Sequence, residues 1–235
     1  MQHNSTYFIM NNKLQLYFLL LVLVVSTTRL PAQVNDAGLW GSINIEKKLT
    51  KKVSLHFSEE LRLNENFSEL GTVYSELTGE YKYNKTFSLS GGYRFVLKRQ
   101  VDDSYEIRHR YLVNLNVKRK FGKIATNTRI RYQSQYAAYN SSDDGQIPDN
   151  YVRTKLGLKY STGKKYTPFV SGEFFFHLNN PDGVLWDNYR ASAGMEYEFS
   201  VRSTFELGYL FDREVNVNDP LTNYVIAVGW SYILK

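Results

Sequence analysis

From residue 37 onward the chain alternates. In FSLSGGYRFVLK, residues 87–98, Phe87, Leu89, Tyr93, Phe95 and Leu97 share one parity. Ser88, Ser90, Gly92, Arg94 and Lys98 share the other, and only Val96 breaks the polar row. Successive side chains of a strand point to opposite faces, so this is the pattern of a strand with one apolar and one polar face. The same period predicts strands over 37–48, 53–63, 72–83, 87–98, 105–118, 123–136, 150–161, 167–178, 187–198, 202–213 and 221–234. Most of them run 11–14 residues. Globular strands cluster near 5–6 residues, whereas a tilted strand crossing a bilayer needs about 9–11. No stretch carries the period of an amphipathic helix.

The connections alternate as well. LTKK, NKT, RKFG, STGKK and FSV are short; LNENFSELG, RQVDDS, AAYNSSDDGQIPD, NNPDGVLW and EVNVNDP are longer, and most are rich in Asp or Asn. Short turns at one end and longer loops at the other is the plan of a transmembrane barrel. The expected fold is all-β: a single antiparallel up-and-down transmembrane β-barrel of 10–12 strands, with short periplasmic turns and longer extracellular loops. Eleven segments conflict with the even number usual in bacterial barrels. Either one segment is not a barrel strand or one has been missed, and the first segment and 137–149 are the suspects. If all eleven are strands and the short turns are periplasmic, the first must start at the outer rim.

The apolar parity carries, among others, Ile43, Phe57, Leu77, Tyr111, Leu156, Val170, Leu207 and Trp230. Glu59 and His109 interrupt it and are expected at a membrane edge. The polar parity carries most of the mid-strand charge. Its basic wall is Arg94, Arg108, Arg110, Arg129, Arg131, Arg153 and Lys155; its acidic partners are Glu60, Glu76, Glu80, Glu173, Glu196 and Glu206. A barrel turns such a face inward, where charges must be paired or hydrated. Counting from the short turns sets Glu76 opposite Arg94, Lys155 opposite Glu173, and Arg110 opposite Arg129 or Arg131.

Composition changes this picture only at the N-terminus. Lys13 precedes the apolar run LQLYFLLLVLVV, and STTRLPAQ follows with small Ala32, the layout of a cleaved secretory signal over 1–32. The remaining domain is 33–235. Removing Lys13 and Arg29 lowers the formal net charge from +6 to +4, too mild to argue for nucleic acid. The mean hydropathy of −0.41 fits a barrel, in which only alternate residues meet lipid. There is no cysteine, so disulfides and thiolate metal sites are excluded.

Candidate chemistry is sparse. His56 and Ser58 share the inward parity, and a histidine beside a serine resembles the pair of outer-membrane phospholipase barrels, although in those the pair faces lipid. No orienting third group can be named. Asp143, Asp144 and Asp149 offer oxygens in one loop without the spacing of a calcium loop, and turn chemistry accounts for them. The sequons at Asn66, Asn84 and Asn140 are short patterns of no weight. Lys47, Lys48, Lys51 and Lys52, with Lys118, Arg119, Lys120 and Lys123, cluster near short turns. They suit either phospholipid head groups or plain solubility. No metal site, phosphate loop or cofactor site is read.

WGSINIEKKLTKKVSLHFSEELRLNEN, YSELTGEYKYNKTFSLSGGYRF, EIRHRYLVNLNVKRKFGK and RIRYQ together resemble the DUF2490 family, an uncharacterised family of Bacteroidetes and related bacteria grouped with outer-membrane barrels. The resemblance covers most of the chain after the signal and is strongest over 40–132. It implies a barrel in the outer membrane and brings no established activity. The function expected is a narrow pore for small polar or anionic solutes. A structural or interaction barrel with a salt-bridge-filled lumen is the alternative, and a barrel lipid hydrolase is third. The expected partners are membrane lipids, the barrel-insertion machinery and small polar solutes, with no nucleic acid and no cofactor.

Overall fold

The computed structural model describes residues 34–137, 147–183 and 185–235. The signal segment expected over 1–32, with the loop aspartates Asp143 and Asp144, lies outside the described residues. Eleven strands follow in order: β1 (Val34–Lys48), β2 (Val53–Asn64), β3 (Glu69–Lys82), β4 (Phe87–Arg99), β5 (Tyr105–Phe121), β6 (Ile124–Ala137), β7 (Asp149–Tyr160), β8 (Tyr166–His177), β9 (Trp186–Ser200), β10 (Ser203–Glu214) and β11 (Leu221–Leu234). All eleven segments read from the alternation are strands, with ends moved by three residues or fewer.

The strands form one closed barrel in sequence order, each antiparallel to the next. The odd number is resolved at the seam. With eleven antiparallel strands the first and last run the same way, so they can only pair in parallel. β1 and β11 do so over an unbroken register from Val34–Leu221 to Lys47–Leu234. β1 therefore begins at the rim of the long loops and β11 ends at the rim of the short turns.

The two parities separate as the pattern requires. Ile43, Phe57, Leu77, Leu89, Val113, Leu156, Val170, Phe174, Leu207 and Ile226 are exposed on the outer wall. The buried side chains include Ser54, Thr78, Ser88, Ser90, Asn114, Gln133, Arg131 and Glu173, which face inward. This inverts the arrangement of a water-soluble domain. Glu59 and His109 do lie on the outer wall, each held by a neighbour there, but Glu59 stands at mid-strand opposite Ile43 and Ser75 rather than at an edge. Ser75 Oγ donates to Glu59 Oε2 at 2.5 Å, and the Tyr93 hydroxyl lies 2.6 Å from His109 Nδ1.

Local chemistry sets the registers. In the β3–β4 turn Asn84 Oδ1 accepts the backbone N–H groups of Thr86 and Phe87, both at 2.8 Å, which closes the hairpin and places Glu76 opposite Arg94. Lys155 stands opposite Glu173, as counted. Arg110 does not stand opposite Arg129 or Arg131. Strand β5 continues through Arg119, Lys120 and Phe121 to a two-residue turn, Gly122–Lys123, in which Gly122 has φ +58°. That tight turn pairs Phe121 with Ile124 and brings Gln135 opposite Arg110. At the other rim Glu65, Asn66 and Phe67 run through left-handed φ values of 51°, 55° and 71°. The Asp36 carboxylate accepts the N–H groups of Glu65 and Asn66 at 3.0 and 2.9 Å, so the strained run is fastened to β1.

Candidate functional site: a charged belt in the barrel lumen

The inward parity builds a circuit of charges and rings around the lumen. On β2, Arg62 Nε donates to Glu60 Oε1 at 2.6 Å, and the Tyr74 hydroxyl of β3 donates to Glu60 Oε2 at 2.7 Å. Arg94 of β4 lies 3.6 Å over the Tyr74 ring and donates through Nε to Glu76 Oε2 at 2.7 Å. From β6, Arg131 reaches back past β5 and β4 to stand 3.7 Å from Glu76 Oε1, and it donates to Asn114 Oδ1 at 2.6 Å. Arg129 and Arg153 both donate to one oxygen of Glu173, at 2.6 and 2.9 Å. Arg153 lies 4.2 Å over Phe175, and Arg190 of β9 lies 5.2 Å over the same ring. Arg190 also donates to Asp212 at 2.7 Å and covers the Trp40 indole at 4.8 Å. Arg62 covers that indole at 3.7 Å and closes the circuit. A guanidinium over a ring is attracted to the π face while its edge stays free to donate, so Arg62, Arg94, Arg153 and Arg190 each serve a carboxylate and a ring.

The remaining inward groups differ in how well they are matched. Arg108 is paired by Glu106 at 2.6 Å on its own strand. Glu80 lies 3.7 Å from both His56 and Lys82. Glu196 accepts from Lys159 at 2.5 Å. Arg110 donates to the amide oxygen of Gln135, and among the described residues no carboxylate lies within 4.0 Å of it. Lys155, although in register with Glu173, also lacks such a partner among the described residues, as do Lys98 and Glu206.

The belt surrounds a cavity of about 790 Å³ that extends along the lumen. Toward the long-loop rim it reaches Lys98, Asp187 and Glu214; toward the short-turn rim it reaches Asn44, Lys159 and Glu206. Ser54, Thr78, Ser88, Ser90 and Asn114 do not line it and are buried, so in that half the open space follows β6–β11 and β1 rather than β2–β5. Eleven Arg and Lys line the cavity against six Asp and Glu; Glu76, Glu106 and Asp212, bonded to lining arginines from just behind the wall, bring the balance to eleven against nine, still basic.

The sequence reading placed Arg94, Arg108, Arg110, Arg129, Arg131, Arg153, Lys155 and their six carboxylates on one face, and the barrel turns that face inward. It separated a basic wall from an acidic one, whereas Arg62 and Arg190 carry positive charge into the acidic strands and interleave the two. It also missed the rings between them. Trp40, Tyr74 and Phe175 each fall on the charged parity, two residues from another inward polar group, which was the available signal.

His56 and Ser58 both face inward but do not engage each other. Ser58 Oγ donates to Asn44 Oδ1 at 2.8 Å. His56 Nε2 lies 3.2 Å from Ser54 Oγ and 3.7 Å from Glu80 Oε2. The hydroxyl and the carboxylate thus converge on one ring nitrogen, whereas a relay needs them on opposite nitrogens. Asp149 Oδ1 stands 3.7 Å from His177 Nε2 at the long-loop rim.

A closed barrel, antiparallel but for its β1–β11 seam, with an apolar exterior and a charged lumen is a porin-type fold. The solved NanC porin shares it, with a TM-score of 0.55 and 15% identity over 85% of this chain and 98% of that one. The chain belongs to the DUF2490 family of proteins of unknown function, which matches residues 37–222. An uncharacterized protein of Methylorubrum extorquens strain AM1 is 25% identical over 198 residues, covering 81% of this chain and 84% of the relative.

Proposed function

We propose that the protein is an outer-membrane barrel, exported by the segment 1–32, whose lumen passes small anionic solutes through the arginine belt. The excess of basic over acidic side chains along the cavity and directly bonded to its wall, eleven against nine, carries the reading. The exposed apolar exterior supports the membrane, because a monomeric soluble protein does not present a continuous apolar wall to water. The belt arginines fix the geometry and are largely neutralised by Glu76, Glu173 and Asp212. Lys98, Arg110 and Lys155 are the cations left to meet a passing anion. The reading assigns no catalytic step.

In planar bilayers under a potassium chloride gradient, the native barrel is expected to give an anion-selective reversal potential. The triple variant K98Q/R110Q/K155Q is expected to lose selectivity by roughly tenfold. No conductance in bilayers together with no solute uptake in liposomes would overturn the pore. The belt's ion pairs would then favour the structural barrel. Trp40 gives a second handle. Its side chain is 9% exposed and projects into the lumen between two guanidiniums, so W40A is expected to raise single-channel conductance while costing about 3–5 kcal/mol of stability in urea unfolding. Unchanged conductance would mean that the indole does not restrict the path.

A further inference from the structure

The connections at the two ends of the barrel sort by charge, although the strand ends beside them do not, with Arg99 at the long-loop rim and Glu198 at the short-turn rim. The five short connections, residues 49–52, 83–86, 122–123, 161–165 and 201–202, contain seven Lys and Arg and no acid. The five long connections, 65–68, 100–104, 138–148, 178–185 and 215–220, contain seven Asp and Glu and no Lys or Arg. Turn chemistry calls for Asn, Gly and small polar residues; it does not sort sign by rim. Every short turn contributes at least one cation, so the charge is spread around the whole circumference rather than gathered in one patch.

A second observation fixes what these cations face. Exposed aromatic side chains stand on the outer wall beside the same rim: Tyr81, Phe121, Tyr160, Tyr166, Phe199 and Trp230. Lys52 Nζ lies 6.0 Å from the centre of the Tyr81 ring, and Lys164 Nζ lies 5.8 Å from that of Tyr166. Amphipathic rings settle at the boundary between acyl chains and head groups. Lysines just beyond them reach the level of lipid phosphate, with their stems along the rings.

We infer that the short-turn rim is a collar that binds the phosphate groups of anionic phospholipids. The collar rests on the membrane reading of the barrel and is independent of whether the lumen conducts. A phosphate diester with net negative charge on the lipid satisfies several lysines from neighbouring turns at once. A zwitterionic head group presents its own cation to the same rim and is disfavoured. The acidic long-loop rim repels the same lipids, so the charge separation also sets which end of the barrel enters an anionic leaflet.

The test is lipid retention by the purified full-length barrel, released from micelles containing equal phosphatidylglycerol and phosphatidylcholine and weighed by native mass spectrometry. The native protein is expected to keep phosphatidylglycerol several-fold over phosphatidylcholine. The variant K51Q/K52Q/K164Q/K165Q is expected to approach parity, and D102N/D103N/D182N/D219N at the other rim to keep the native ratio. These side chains lie on exposed connections, and gel mobility with and without boiling checks that each variant is folded. Equal retention by the native protein, or a preference that survives the lysine variant, overturns the collar. Displacement by millimolar inorganic phosphate assigns the rim to free oxyanion instead and also overturns it. Retention of neither lipid sinks the membrane reading itself, a different failure from equal retention of both.

Discussion

Glu173→Gln is expected to destabilise the barrel by about 3–5 kcal/mol, the cost of leaving buried charge without its partner. The carboxylate is 3% exposed and a single oxygen accepts from Arg129 and from Arg153. A glutamine keeps the shape and one acceptor oxygen, but it leaves two guanidiniums facing each other with no negative charge between them. The lost energy is largely repulsion rather than a missing hydrogen bond, and that makes a sharper prediction. Adding Arg153→Gln to Glu173→Gln is expected to recover part of the loss, because it removes one of the stranded cations. Urea unfolding followed by tryptophan fluorescence measures both. Strict additivity of the two single losses would mean that the triplet is not an electrostatic unit.

Gly92→Val is expected to prevent folding altogether. A Cβ at Gly92 would press on the Leu77 carbonyl oxygen and on Thr78 Cγ2, and it would stand 2.9 Å from Thr78 Cα. Two of those atoms are backbone of β3, the hydrogen-bonded neighbour, so no rotamer change relieves the clash and the ladder must part. Gly91 is the internal control. A Cβ at Gly91 would meet only the Leu112 carbonyl oxygen, at 3.8 Å, an ordinary contact, so Gly91→Ala is expected to fold as the native chain does. The measurement is the heat-resistant folded band on a gel. A normal band for Gly92→Val would show that β3 and β4 need not approach so closely.

The strands were legible because period 2 in long segments leaves few alternatives. Ile43, Phe57, Leu77 and their equivalents could only face one way once the barrel closed. Register was legible where a side chain closes the turn, as Asn84 does, and illegible where charge conceals the period. Arg119, Lys120 and Phe121 look like turn residues, yet they continue β5 to the rim, and that extension moved Arg110 from an arginine to Gln135. The belt was half legible. Its charges announced themselves by parity, but Trp40, Tyr74 and Phe175 read as ordinary apolar residues out of phase. Their role depends on neighbours from β2, β4, β7 and β9 that no local window contains. The orientation of β1 was implied by the short and long connections, yet the parallel seam needed the closed barrel to be seen.

That seam has a further consequence. β1 starts at one rim and β11 ends at the other, so the two ends of the barrel wall are separated by the length of a strand, roughly 45 Å along its axis for fourteen residues. In an even barrel both ends share a rim, and a short loop can join them to let the chain be cut and restarted elsewhere. Here such a join would have to travel the whole height of the wall, doing the work of the twelfth strand that the fold omits. A circular permutant of this barrel is therefore a different architecture, and an odd strand count fixes where its chain can begin.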